Sequence, residues 1–150
     1  MIALLQRVTE ASVMVAGERI AAIERGLLVL VGIERGDGFP EAARLAERLV
    51  GYRVFADGDA RMNLSVAQID GGILLVPQFT LAADTDRGRR PGFETAAPAD
   101  QGEPLFSTFV EQVRALHSQT ATGRFGADMR VALVNDGPVT FWLQSSPEST

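Results

Sequence analysis

Two hydrophobic periods divide the chain. At the N-terminus the spacing is that of strands. Ile2 and Leu4 alternate with Ala3 and Leu5 in an apolar strand ending at Arg7, and residues 12–15 read as a second short strand. Ala16-Gly17-Glu18 is a turn, residues 19–23 return, and residues 27–33 complete a β-meander. That last run is apolar without alternation, the pattern of a strand covered on both faces. From Pro40, a favoured first helical residue, the period changes. Ala42, Leu45, Ala46 and Leu49 fall at i, i+3, i+4 and i+7, one face of a helix ending near Gly51. Residues 52–55 and, after Gly71-Gly72, 73–76 predict strands. A second helix begins at Asp100 or Gln101, with Phe106, Phe109, Val110, Val113 and Leu116 as its stripe. Residues 129–134 and 139–143 read as two strands, with Asn135-Asp136-Gly137-Pro138 as the turn between them.

Strand-rich ends with two separate helices predict an α+β fold, an antiparallel, barrel-like pair of sheets flanked by those helices. At 150 residues the expectation is one domain over 1–150, with 145–150 a frayed polar tail. Composition narrows the chemistry. There is no Cys, which excludes disulfides and thiolate metal sites, and a single His makes a zinc site a poor fit. The expectation is no metal and no organic cofactor. The longest apolar run, 26–33, is too short to span a bilayer, and residues 1–7 lack a signal-peptide layout. A soluble cytoplasmic protein with no membrane partner is expected. A net charge of −5 argues against coating a duplex backbone, so no DNA partner is expected. A single-stranded RNA end needs only a local basic patch.

Several stretches could carry chemistry. Pro77-Gln78-Phe79-Thr80-Leu81 follows an apolar strand. It reads either as a strand end with a satisfied Thr80 or as a site where the N–H groups of Phe79 and Thr80 face a developing oxyanion. Thr80 as nucleophile would need a base, and none is near in sequence. The breaker-rich loop after it carries Arg87, Arg89 and Arg90, read either as a solvated loop or as a phosphate grip. Phe93 offers a stacking face for a base or a core contact. Asp57-Gly58-Asp59 is a turn, since it lacks the later Gly and Glu of a calcium loop. His117, at a helix end, reads as structural or exposed. Gly137 leaves open space beside the backbone, and Pro138 fixes φ and removes an N–H.

The stretch Asn135-Asp136-Gly137-Pro138-Val139-Thr140 matches the Asn-x-Gly-Pro-Val-Thr motif of the D-aminoacyl-tRNA deacylases. Pro77-Gln78-Phe79-Thr80-Leu81 resembles their Ser-Gln-Phe-Thr-Leu motif, with Pro77 where the family has Ser. Likeness extends from Met1-Ile2-Ala3-Leu4-Leu5-Gln6-Arg7-Val8 through Gly26–Gly32, Arg61-Met62-Asn63-Leu64-Ser65 and 122–129, over roughly residues 1–144. The resemblance implies a three-layer fold and a homodimer in which Gly137-Pro138 of one subunit enters the pocket of the other. It implies that Arg7 braces the Gly-Pro segment, a task suited to the fixed fork of a guanidinium. Phe125, Ala127 and Met129 would help form the pocket for the terminal adenosine. The substrate would be the aminoacyl-tRNA 3′ end. Gln78, Phe79 and Thr80 would carry the hydrolysis of its D-aminoacyl ester, with glycyl-tRNA also cleaved. Pro77 excludes a side-chain nucleophile at that position. It also leaves open an inactive RNA-end-binding dimer, and a hydrolase of other small esters remains a further alternative.

Overall fold

The computed structural model describes residues 1–148. Its elements run β1 (Ile2–Val15), β2 (Glu18–Ile23), β3 (Gly26–Gly32), α1 (Phe39–Gly51), β4 (Phe55–Ala56), β5 (Met62–Leu64), β6 (Gly72–Pro77), α2 (Ala99–Leu116), β7 (Thr120–Thr122) and β8 (Arg130–Gln144). A short 3-10 turn, Phe79–Ala82, follows β6. One sheet has the order β2-β1-β3-β6-β7, with β8 also paired to β1, and β4-β5 forms a separate ribbon.

The α+β class and the two helices are as the pattern predicts. The sheet is mixed, however, and not antiparallel throughout. β1 pairs antiparallel with β2, β3 and β8, but β6 pairs parallel with both β3 and β7. The reason is connectivity. The chain leaves β3, crosses through α1 and the small ribbon, and re-enters in the same direction.

Alternation in the strands sorts side chains onto two faces. Leu27, Val29, Val31, Ile73 and Leu75 point toward the helices, where Leu45, Leu49, Phe106 and Phe109 close the main core. Leu28, Leu74 and Val76 point the other way, into the hollow of the curled sheet with Val8, Ala11 and Val13. β3 is therefore covered on both faces, as its unbroken apolar run predicts. α1 starts at Phe39, one residue before Pro40, and Glu41 Oε2 accepts the Gly38 N–H at 2.7 Å.

Three local readings change. The two N-terminal strands are one, because β8 pairs with β1 on both sides of Thr9. Residues 52–55 yield strand only from Phe55. Ser145 is buried rather than frayed: its N–H reaches the Met1 carbonyl at 2.9 Å and its carbonyl takes the Met1 ammonium at 2.6 Å. Residues 149 and 150 of the expected tail lie outside the described residues. No helix among the described residues is long and apolar enough to cross a membrane.

Candidate functional site

β6 ends at Pro77, and its position there follows from the ladder. Pro77 sits opposite Val31, and the next N–H, that of Gln78, donates to the Val31 carbonyl at 2.8 Å. On the other side β7 stops at Thr122, and the last bond is from Gly123 N–H to the Leu75 carbonyl at 2.8 Å. The nitrogen of residue 77 thus faces a side of the strand with no partner, where proline loses nothing. The chain then tightens into the 3-10 turn. Its first closing bond runs from Leu81 N–H to the Gln78 carbonyl at 3.2 Å. The Phe79 and Thr80 N–H groups stand ahead of it, at the end where a helical turn offers no acceptors.

Beside this segment lies a cleft of about 510 Å³. It is lined by Val76, Pro77, Gln78 and Phe79 on one side and by Phe125, Gly126, Ala127, Met129 and Val131 on the other, with Ala97 and Ala99 at its edge. Five of the residues singled out from sequence, Gln78, Phe79, Phe125, Ala127 and Met129, meet here although they are about fifty positions apart. Phe125 is held by Phe106, ring centroids 6.2 Å apart, and by Gly102, whose missing Cβ would lie 3.4 Å from the Phe125 ring. Met129 is placed by Gly123, where a Cβ would stand 2.8 Å from its Sδ. Ala97, Ala99 and Val131 are cleft residues that sequence reasoning missed, because the two alanines lie outside any periodic run and Val131 looks like any other apolar residue of its strand.

Thr80 does not join them. Its side chain lines a neighbouring groove with Trp142, Asp84 and Asp86. Its hydroxyl accepts a hydrogen bond from Gln78 Nε2. No His or Lys stands by it, and His117 is buried elsewhere with Nε2 2.6 Å from the Gly71 carbonyl, the structural role read from sequence. Among the described residues no group of three or more His, Cys, Asp or Glu side chains could hold a metal.

Gly137 and Pro138 also lie outside this cleft. The turn read from sequence is instead a bulge within one long strand. Gln6 pairs with Thr140 and Val8 with Asn135, so residues 136–139 loop out opposite Arg7 alone. Gly137 and Pro138 are exposed at its crest, joined by a cis peptide bond. Asn135 closes its base. Its Oδ1 accepts the Val139 N–H at 2.6 Å, and its Nδ2 donates to the Thr140 Oγ1 at 3.0 Å. Arg7 holds it from below: Nε donates to the Asp136 carbonyl at 2.9 Å and Nη1 to the Val54 carbonyl at 2.8 Å. At Gly137, with φ +143°, a Cβ would meet Val139 Cγ2 at 2.7 Å and an Arg7 guanidinium nitrogen at 3.2 Å.

Arg87, Arg89 and Arg90 are exposed on the loop that follows the turn. That loop is clasped by two bonds between the Asp84 and Gly92 backbones, 2.7 and 2.9 Å.

Comparison with known proteins places this arrangement. The family model described as D-Tyr-tRNA(Tyr) deacylase matches residues 4–144. A Nitrosococcus oceani protein named D-aminoacyl-tRNA deacylase is 61% identical over 147 residues, covering 98% of this chain and 95% of its own. A solved structure named c-Myc DNA Unwinding Element Binding Protein is 41% identical, with a TM-score of 0.94 over 98% of this chain and all of its own. Another, "Structural Analysis of a probable eukaryotic D-amino acid tRNA deacylase", is 18% identical with a TM-score of 0.80 over 95% and 97% of the two chains, a likeness of fold alone. The family match runs through both the cleft and the bulge, and the chain belongs to the D-Tyr-tRNA(Tyr) deacylase family.

Proposed function

We propose that the protein, a cytoplasmic homodimer of single-domain subunits, hydrolyses the ester joining a D-amino acid to the 3′ end of tRNA. It releases the free D-amino acid and tRNA. The observation that carries this is the whole-length similarity to proteins named D-aminoacyl-tRNA deacylase, which takes in the cleft-lining and bulge segments alike. In this reading Phe125, Ala127 and Met129 receive the terminal adenosine. Arg87, Arg89 and Arg90 meet the phosphates of the RNA end. Gly137-Pro138 of the partner enters the cleft mouth, which fits its exposure outside its own cleft.

The physical problem is chirality. Both enantiomers carry the same groups, so attraction to the side chain separates them poorly, whereas a fixed wall rejects one hand by collision. Gly137-Pro138 supplies that wall, and its carbonyls receive the substrate ammonium. Glycine has no side chain to collide, so glycyl-tRNA is also cleaved. The ester is a good electrophile. Water adds to its carbonyl carbon, the Phe79 and Thr80 N–H groups stabilise the oxyanion, and the C–O bond to the ribose breaks as that oxygen takes a proton. The ribose 2′-OH assists, making the substrate RNA and not DNA. Gln78 orients the segment through its bond to Thr80. This backbone scheme suits a site with Pro77 in place of the family's Ser.

The test is deacylation of matched D- and L-tyrosyl-tRNA at low enzyme concentration. Fast loss of the D ester alone is expected. Loss of both would remove the wall from the account. Binding of the RNA end with loss of neither ester would favour the inactive binding dimer that Pro77 suggests.

A further inference from the structure

We propose that Phe79 and Phe93 form a stacking platform for the unpaired nucleotide preceding the terminal adenosine, with the arginine loop holding its phosphate. The proposal rests on the aminoacyl-tRNA reading above and extends it beyond the terminal nucleotide. Large aromatic side chains are seldom left in water without a partner to cover them. Here Phe79 is 58% and Phe93 43% exposed, and the two rings touch, with centroids 5.3 Å apart and planes inclined at 50°. Phe79 belongs to the cleft wall, whereas Phe93 does not, so the pair leads from the cleft rim outward across the surface. Phe93 directly follows Gly92, the closing residue of the loop that bears Arg87, Arg89 and Arg90.

The platform is held in place from behind. The Arg35 N–H donates to the Thr95 carbonyl at 3.0 Å and its Nε to the Glu94 carbonyl at 2.6 Å. The Thr95 hydroxyl donates to the Ala82 carbonyl at the end of the 3-10 turn. The arginines make no ion pair among the described residues. Within the loop, Asp84 Oδ1 accepts the Asp86 N–H at 2.9 Å. An aromatic face beside free guanidinium groups is the chemistry that grips single-stranded nucleic acid, and it tolerates any base because every base has a π-face.

The test uses the full chain and a single-stranded ACCA ribotetranucleotide with fluorescent pyrrolocytidine in the penultimate position. Binding should quench the fluorophore. Phe93→Leu keeps apolar bulk but removes the aromatic face, and should weaken binding about tenfold. Phe93→Trp should retain it. In turnover, Phe93→Leu should raise KM for D-tyrosyl-tRNA about tenfold at unchanged kcat, by the same lost stacking. It should leave hydrolysis of 3′-D-tyrosyl-adenosine, which lacks the upstream nucleotides, unaltered. Binding by Phe93→Leu equal to the parent, or equal losses on both substrates, would overturn the platform. Hydrolysis of D-tyrosyl-tRNA without any dependence on Phe93 would sink the platform and leave the deacylase reading standing. Binding that depends on Phe93 with no hydrolysis of either ester would do the reverse.

Discussion

Arg7 ties the bulge to a distant segment through a single side chain, and its replacement can be worked out in advance. Its side chain is 15% exposed and bonds two backbone carbonyls from distant segments, Asp136 at 2.9 Å and Val54 at 2.8 Å. The Asp136 carboxylate, 3.7 Å away and half exposed, adds little, since screened surface pairs contribute under about 1 kcal/mol. A hydrogen bond from a charged donor is worth about 1.5–3 kcal/mol net. Lysine has one ammonium and reaches one carbonyl, so Arg7→Lys should cost about 1.5 kcal/mol. Arg7→Ala removes both donors and should cost about 3 kcal/mol. For a chain of this size these correspond to about 3–6 °C and 6–12 °C in Tm. If the same bonds hold Gly137-Pro138 in its working position, kcat/KM for D-tyrosyl-tRNA should fall about tenfold and about a hundredfold, at about 1.4 kcal/mol per decade. Thermal melting and single-turnover deacylation read the two quantities separately. Native Tm and native turnover in Arg7→Ala would refute the bracing. A lowered Tm with full turnover would confine Arg7 to the fold and remove it from the site.

Further expectations follow from the same geometry. Gly137→Ala forces a Cβ into Val139 and Arg7 at a backbone angle that costs an L side chain about 1–3 kcal/mol, and should damage D-ester hydrolysis more than Thr80→Ala does, by steady-state comparison. If Thr80→Ala alone abolishes turnover in a folded protein, Thr80 is the nucleophile and the backbone scheme fails. Pro77→Ser should change the rate but not the D/L ratio, measured on matched esters, because residue 77 lines the cleft away from the bulge. Burial pushes the Glu41 carboxyl up, but N–H donors at Gly38 and Glu41 and the Arg44 guanidinium outweigh it and hold it below its ordinary 4.5. Its contribution is then complete above pH 4.5 and lost as pH falls through the depressed value. Glu41→Gln should therefore lower Tm at pH 7 and lose that deficit in acid.

What could be read from sequence, and what could not, divides along local and non-local lines. β3 betrayed its two covered faces through an unbroken apolar run, and α1 its position through Pro40 and the four-residue spacing. Both are properties of a single segment. The bulge reads as a turn in sequence because Asn-Asp-Gly-Pro suits either, and the difference lies in Gln6 and Val8, far away in sequence, which pair with Thr140 and Asn135 and leave the residues between to loop out. The parallel direction of β6 has no local mark, since Ile73–Val76 would look the same in either orientation. In the cleft, the glutamine-phenylalanine segment was visible by resemblance, while Ala97 and Val131 acquire meaning only when the chain folds around them.

The pairing of β1 with the last strand also sets a timetable. β1 leaves the ribosome more than a hundred residues ahead of its last partner, since from Ile2 to Met14 one of its edges is completed only by residues 130–144. During synthesis β2 and β3 can dock against it, but that other edge stays open until β8 has been made. An unpaired apolar edge is a template for the wrong neighbour. A chain cut short before Arg130 would keep both of its helices and still present that edge, so premature termination should yield aggregates in place of a smaller folded protein.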